Sequence, residues 1–358
     1  MSLIQKMHEG NVDIVGDIHG EFEALLNLLL HLGYDEEGNH PENRKLVFVG
    51  DLCDRGPDSP RVILFVKKLV DNGNAQVVLG NHELNILQNK PKPGTGWYFE
   101  ERFNKDHHYM PFEVVSAEDK ETIYKFLKNL PIALERADLR VVHAAWIPQA
   151  IEEVRQVPLG KVIGQYLELE KGINEYIETS GLLKAYRQEE QQWKEQLEDP
   201  TQTLPFLDVT SQYNMAHQMM NPLRMLTSGL EQKCSEGFYA GGKWRFVERC
   251  TWWNDYQEDV PVVIGHFWRK MHNEAVEKTT ENNVFEGVAP LEWHGNKNNV
   301  FCVDYSVGGR FIERNKDGVE PGENTVLAAL RWPENELVLE DGQVLQTVIK
   351  PNKTMKMK

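Results

Sequence analysis

An α/β fold with parallel strands is what this sequence predicts, and three observations carry the expectation. Residues 12–20, VDIVGDIHG, residues 45–55, KLVFVGDLCDR, and residues 76–83, QVVLGNHE, are apolar runs that each end in glycine followed by polar side chains. Between them lie stretches with helical spacing, and a β-α-β-α-β alternation implies parallel strands joined by right-handed crossovers. Strands ended in this way deliver polar groups to one edge of the sheet, where α/β sheets place their sites.

The elements follow in order. After the first turn, EFEALLNLLLHLGY carries Phe22, Leu25, Leu26, Leu29 and Leu32 at three- and four-residue steps, the mark of an amphipathic helix, and Gly33 is its expected stop. The polar loop DEEGNHPENRK follows, with His40 expected at the surface. Pro57 and Pro60 flank the start of the second helical stretch, RVILFVKKLVDNG. Residues 84–130 are mixed: a Pro/Gly loop, NKPKPGTGW, a polar stretch in which the adjacent His107 and His108 are expected to face solvent, and a helix from about 117 to 130. LRVVHAAWIP, residues 139–148, reads as a strand ending in His143.

Residues 150–245 differ in character, with charged stretches such as AYRQEEQQWKEQLED and a Met-rich one, MAHQMMNPLRMLTSGL. They are expected to form a largely helical insertion covering one side of the site, with Arg187 and Arg224 on solvated faces. The sheet resumes at DVPVVIGHFWR, residues 259–269, ending in Gly-His266. NNVFCVDYSVGGR reads as a strand and turn, and NTVLAALRWPENELVLED as a closing strand pair around Pro-Glu-Asn. The division expected is residues 10–150 and 246–350 as two halves of one core, 151–245 as the insertion, and 351–358 as a disordered tail.

Composition bounds the possibilities. With 41% hydrophobic and 26% charged residues the 358-residue chain has the make-up of an ordinary soluble globular protein. A net charge of −16 argues against an electrostatic grip on nucleic acid or anionic lipid. It leaves a phosphate-bearing substrate open, because bound cations reverse the local potential. The four cysteines show no C-x-x-C pair, and neither a signal-peptide core nor a membrane-length apolar run occurs, so a reducing cytoplasm is the expected home.

The strand ends together offer Asp17, His19, Asp51, Asp54, Asn81 and His82, all oxygen or imidazole groups suited to divalent metals. In this order the blocks GDIHG, GDLCDRGPDS and GNHE resemble the signatures of the calcineurin-like metallophosphoesterases, and Arg55 resembles the phosphoprotein phosphatase branch, which includes diadenosine tetraphosphatase-like enzymes. The resemblance implies a four-layer α/β/β/α sandwich with the helical insertion. It implies two divalent metal ions, Mn or Fe with Mn ahead of Zn or Mg, with Asp17 and His19 on the first, Asn81, His143 and His266 on the second, and Asp51 as bridge. A carboxylate bridges because it has two oxygens to share.

The same resemblance implies a binuclear phosphoric ester hydrolase in which a water shared by the metals becomes hydroxide and attacks phosphorus in line. Arg55 would hold the phosphoryl oxygens together with Asn81 and His82, and His82 would be general acid to the leaving oxygen, oriented by Asp54. Asp, Asn and His at single strand ends often only cap helices, but six such groups from five strand ends exceed that use. A phosphomonoesterase of the Ser/Thr protein phosphatase kind and a dinucleoside polyphosphate hydrolase both fit the blocks, since these grip the phosphoryl group rather than what it is attached to. A non-catalytic scaffold would be expected to have lost one of these residues. Two places depart from the family pattern or match it faintly: Asp304-Tyr305-Ser306 stands where Asp-Thr-Gly is expected, and Asp255 follows Trp253 in a faint Trp-x-Asp element. The sequence assigns no role to Asp304, Asp255 or Arg269.

Overall fold

The computed structural model describes residues 1–271 and 283–350. The chain begins with β1 (Ile4–Lys6) and β2 (Val12–Val15), then α1 (Phe22–Leu32), β3 (Lys45–Phe48), α2 (Ser59–Asp71), β4 (Ala75–Val77) and α3 (Asn81–Leu87). A loop and the short α4 (Glu100–Phe103) lead to α5 (Ala117–Lys128), β5 (Ala133–Arg136) and β6 (Leu139–Val142). The next segment holds α6 (Pro148–Arg155), α7 (Val162–Thr179), α8 (Leu182–Trp193), α9 (Asp208–Met219), α10 (Pro222–Ser228), β7 (Glu231–Ala240) and β8 (Lys243–Arg249). The chain closes with β9 (Val262–Ile264), β10 (Val300–Cys302), α11 (Arg310–Arg314), β11 (Ala328–Trp332), β12 (Glu336–Leu339) and β13 (Val344–Gln346).

Two sheets form the core, in the orders β13-β12-β11-β2-β3-β4 and β1-β5-β6-β9-β10, and β7 and β8 pair apart from them. The expected parallel pairing holds: β2 runs beside β3 with Ile14 opposite Val47, and β3 beside β4 with Val47 opposite Gln76. Strands buried on both faces lack the polar alternation of a half-exposed strand, and the one charge inside VDIV, the buried Asp13, is paired with Arg44 at 2.8 Å. Ile14, Val47 and Leu330 of one sheet share a buried cluster with Val141, Val263 and Phe301 of the other, so the sheets face each other. Their outer faces carry helices: Leu25 of α1 and Val66 of α2 on one side, Ile151 of α6 and Leu226 of α10 on the other. This is the four-layer α/β/β/α arrangement expected from the sequence.

Local signals explain the boundaries. Gly33 ends α1 in the left-handed region, at φ 94°, and donates its N–H to Leu29 and Leu30. Asp58 caps α2 by accepting from Arg61 N–H, with Pro60 in the first turn. His40 departs from expectation: it is half-buried and donates from Nε2 to the Leu32 carbonyl at 3.0 Å. His107 and His108 are exposed.

The insertion departs from a helical expectation at its end. Residues from Glu231 to Arg249 form an antiparallel hairpin. Its signal is in the sequence: Gly241-Gly242, with φ of 59° and 81°, sits between a tyrosine and a tryptophan flank, the two-residue turn that matches strand twist. Arg224 is not merely solvated; it pairs with Glu170 at 2.8 Å. The expected tail from Asn352 lies outside the described residues. Among the described residues no helix is long and apolar enough to cross a membrane.

Candidate metal centre

The C-terminal ends of β2, β3, β4, β6 and β9 converge, and each of the six sequence-nominated ligands sits just beyond one of them. Asp51 is the hub. Its Oδ2 lies 3.3 Å from His143 Nε2, 3.8 Å from His19 Nε2 and 3.9 Å from His82 Nε2. Ligand atoms of Asp51, His143 and His266 lie within 4.8 Å of one another, as do those of His19, Asp51 and His82. Asn81 Oδ1 joins the first group, 2.8 Å from His266 Nδ1 and 3.2 Å from His143 Nε2. Asp17 accepts the His266 backbone N–H and has Oδ2 4.0 Å from His19 Nε2. The structure thus brings Asp17, His19, Asp51, Asn81, His143 and His266 together, with His82, Asp54 and Arg55 on one flank.

Tautomers decide what these groups can do. His143 Nδ1 donates to the Val49 carbonyl at 2.7 Å, and His19 Nδ1 to the Cys53 carbonyl at 2.9 Å. A carbonyl only accepts, so in each neutral ring the proton is on Nδ1; the His143 Nε2 lone pair then faces the Asp51 and Asn81 oxygens, while that of His19 takes an Arg55 N–H. Lone pair facing lone pair in a buried site asks for a cation between them. Asp304 sharpens the demand: it is 1% exposed, Oδ1 accepts the Ser306 N–H at 2.8 Å, and Oδ2 has no partner. The donor set, of carboxylates, one carboxamide and imidazoles, fits divalent cations of borderline softness.

The buried charges act on one another. Burial pushes the Asp17 carboxyl well above its ordinary range, and Asp304 and Asp51 push it further. Burial would raise Asp51 as well, but His143 and His82 outweigh it and hold Asp51 well below. His19 is held well down by burial, then by Arg55 and His82, and His266 by burial, then by Arg249 and His143. Neutral imidazole, the form that binds metal, is thereby favoured at these two positions.

Backbone conformation marks the same place. Of ten non-glycine residues with positive φ among the described residues, five are His19, Asp51, Asp54, Arg55 and His266. Such conformations cost of order 1–3 kcal/mol each and concentrate where a site demands them. Gly80 shows how tight the demand is: a Cβ there would lie 2.2 Å from Asp51 Oδ1.

Arg55 donates from Nη1 to His19 Nε2 at 3.2 Å and from Nη2 to His82 Nε2 at 3.1 Å. His82 Nδ1 meets Asp54 Oδ2 at 2.6 Å. Three residues that the sequence did not nominate complete the site. Glu83 accepts the backbone N–H groups of Asp51, Leu52 and Gly80 at 2.8 to 3.0 Å, fixing the Asp51 turn against α3. Trp97 donates from its indole to Asp54 Oδ1 at 2.6 Å. Asp304 is the third. Glu83 was visible as the last residue of GNHE, but Trp97 carried no signal. Arg269 donates to the carbonyls of Cys302 and Ala289, a scaffold use, and Asp255 is exposed. Cys53 is a buried small side chain.

The family model described as calcineurin-like phosphoesterase matches residues 10–139. The chain is similar to the asymmetrical bis(5'-nucleosyl)-tetraphosphatase PrpE of Oceanobacillus iheyensis, 49% identical over 74 residues, which are 20% of this chain and 30% of that protein. It is similar to the symmetrical bis(5'-nucleosyl)-tetraphosphatase of Pectobacterium atrosepticum, 33% identical over 145 residues, 38% of this chain and 43% of that one. The chain therefore matches under half the length of these relatives. Among solved structures, the cold-active protein-tyrosine phosphatase of a psychrophile, Shewanella sp., shares 17% identity at a TM-score of 0.46, over 95% of this chain and 82% of that one.

Proposed function

We propose that the chain, whose residues 10–139 match the calcineurin-like phosphoesterase family, is a binuclear-metal-dependent phosphoric ester hydrolase. The observation that carries the reading is Asp51, one carboxylate within 4 Å of imidazole nitrogens from three different strand ends. Asp17 and His19 would hold one cation, Asn81, His143 and His266 the other, and Asp51 both. Bound there, two divalent cations would acidify a shared water and take up charge on the phosphoryl oxygens.

The chain's own residues supply the rest. Arg55 would release the imidazole nitrogens it now touches and present two parallel N–H groups to phosphoryl oxygens, which a planar guanidinium does well. As the water oxygen forms its bond to phosphorus, the bond from phosphorus to the leaving oxygen breaks, and that oxygen needs a proton. His82 would give it from Nε2, while Asp54 holds Nδ1–H and stabilises the imidazolium. Trp97 keeps Asp54 in that orientation, because its N–H occupies the other carboxylate oxygen. Burial of His82 and Asp54 excludes competing water from the relay.

Two substrate classes meet this centre: phosphomonoesters, including phosphorylated Ser or Thr, and dinucleoside polyphosphates. The second is favoured by the two tetraphosphatase relatives. Metal-free protein assayed with Mn²⁺ added back, on nitrophenyl phosphate and on a dinucleoside tetraphosphate, tests the reading. Metal-dependent release of phosphate or nucleotide supports it; no hydrolysis of either substrate at any metal loading would overturn it.

A further inference from the structure

The metal centre is open on one side. Of the residues gathered there, Asp17, His19, Asp51, Asp54, His82 and His143 are buried, whereas Arg55, Asn81 and His266 keep partial exposure. Whatever is esterified to a phosphoryl group at Arg55 must therefore project past those three. Trp268 stands at this opening, two residues after His266, and its ring centroid lies 5.2 Å from the Arg55 guanidinium carbon, within the reach of a cation–π contact. It is 40% exposed, while the other tryptophans of the chain are buried or half-buried. A single exposed apolar side chain on a protein surface means little. This one borders the group that would grip phosphate.

Its neighbours enforce that position. His266 takes a φ of 66°, and the Phe267 N–H then donates to the Gly265 carbonyl at 2.7 Å, a tight turn just past β9. Phe267 is fully buried, edge-on to Trp253 at 5.5 Å. Arg269 is buried too: its backbone N–H donates to the Asp304 carbonyl at 3.0 Å and its guanidinium to the carbonyls of Cys302 and Ala289. With both neighbours anchored inward, Trp268 is left the outward direction. One edge of its indole rests on the Gly308–Gly309 turn, where a Cβ on Gly309 would lie 3.2 and 3.4 Å from two ring atoms. The same turn lies against a metal ligand, since a Cβ on Gly308 would come within 2.2 Å of His19 Cδ2. Among the described residues no other aromatic ring packs on Trp268.

We propose that Trp268 is a stacking platform for a planar aromatic group carried on the phosphate ester, a nucleobase or an aryl ring, whose phosphoryl group lies at Arg55. An indole offers a wide π-face, takes up flat rings at little conformational cost and accepts many ring types. An aliphatic ester, such as phosphorylated serine, would gain nothing from it. This rests on the hydrolase reading above and narrows its substrate class.

The test uses ligands that cannot be hydrolysed, so that binding is read apart from catalysis. Metal-loaded protein is titrated by calorimetry with methylphosphonate, with phenylphosphonate, and with an adenosine 5′-phosphonate that has carbon in place of the ester oxygen. Trp268→Ala should weaken at least one ring-bearing ligand by about 5- to 150-fold, the range for one base stacked on one aromatic side chain, and methylphosphonate by less than about threefold. Which ring-bearing ligand responds distinguishes an aryl ester from a nucleotide. Trp268→Phe, which keeps a smaller ring, should restore most of the affinity, and the responding ligand should quench tryptophan emission in the wild type far more than in Trp268→Phe. Equal weakening for all three ligands would make Trp268 only a brace for Arg55 and overturn the platform. So would unchanged affinity in a variant with wild-type thermal stability and metal content, or a wild type that binds methylphosphonate as tightly as both ring-bearing ligands. Should the wild type hydrolyse no phosphate ester while a ring-bearing ligand binds through Trp268, the platform stands and the catalytic reading falls.

Discussion

The two-sheet core and the insertion are built on different physics. In the core, α1 buries Phe22, Ala24, Leu25, Leu28, Leu29 and Leu32 against the sheet, and the candidate ligands stand on strand ends held from both faces. In the insertion, α6, α7 and α10 add Ile151, Val162, Tyr166 and Leu226 to the core's cluster, but α8 has no fully buried residue, the insertion's own apolar cluster has Leu204, Leu207 and Phe246 as its buried members among the described residues, and a polar knot of Glu170, Asn221 and Arg224 joins α7 to α10. Apolar burial gives the core a unique, rigid geometry, as a site needing sub-ångström placement requires. An element held by fewer apolar contacts opens at lower cost. Chemistry is thus expected to fail through core residues and stability through the insertion, and five changes test that division.

The largest effect is expected from Asp51→Asn, which removes the shared carboxylate: metal content of both sites should drop, and kcat/KM should fall by at least ~10²-fold. Two metals and full activity in that variant would show that Asp51 is no bridge. His82→Asn follows, with a loss of about 10² to 10⁴ on an alkyl phosphate, where the leaving oxygen needs a proton, and far less on nitrophenyl phosphate, where it does not. Equal losses on both substrates together with a missing metal would make His82 a ligand instead.

Arg55→Ala should keep both metals and weaken inhibition by inorganic phosphate about 10- to 100-fold, the loss of two charge-assisted hydrogen bonds. Unchanged phosphate inhibition would count against its role. Trp97→Phe, which frees one Asp54 oxygen, should repeat the leaving-group pattern of the His82 variant at less than about tenfold, consistent with one neutral donor lost.

The smallest change belongs to the insertion. Despite its burial, the Glu170 carboxyl is held down to about 2, by His217, Asn221 and Arg224. Its folded pKa lies below the unfolded value, so its stabilisation is complete above about pH 4.5 and fades as pH falls toward about 2. Glu170→Gln should therefore destabilise the chain by of order 2 kcal/mol at neutral pH, discounted for its partial exposure, and the difference should shrink in acid. Nitrophenyl phosphate turnover below the melting transition should change little if chemistry belongs to the core alone. A loss as deep as that of Arg55→Ala would erase the division.

Much of the core could be read from the chain by itself, because a buried parallel strand must be an apolar run and its turn must carry glycine before the functional side chain. That is why Asp17, His19, Asp51, Asn81 and His266 stand out by position, and why α1, α2 and the β11–β12 pair lie where expected; no glycine precedes His143, and its nomination, like the ligand set as a whole, came from the family resemblance. Glu83, Trp97 and Asp304 could not be assigned: a hydrogen bond between Trp97 and Asp54, or an unpaired oxygen on Asp304, exists only once distant segments pack together. The hairpin of the insertion was written in Gly241-Gly242, but helical periodicity upstream drew the reading past it. Which face of β8 is covered, the one with Trp244 and Phe246 against Leu204 and Leu207, was decided only by the tertiary structure, because strand alternation separates two faces and packing alone chooses between them.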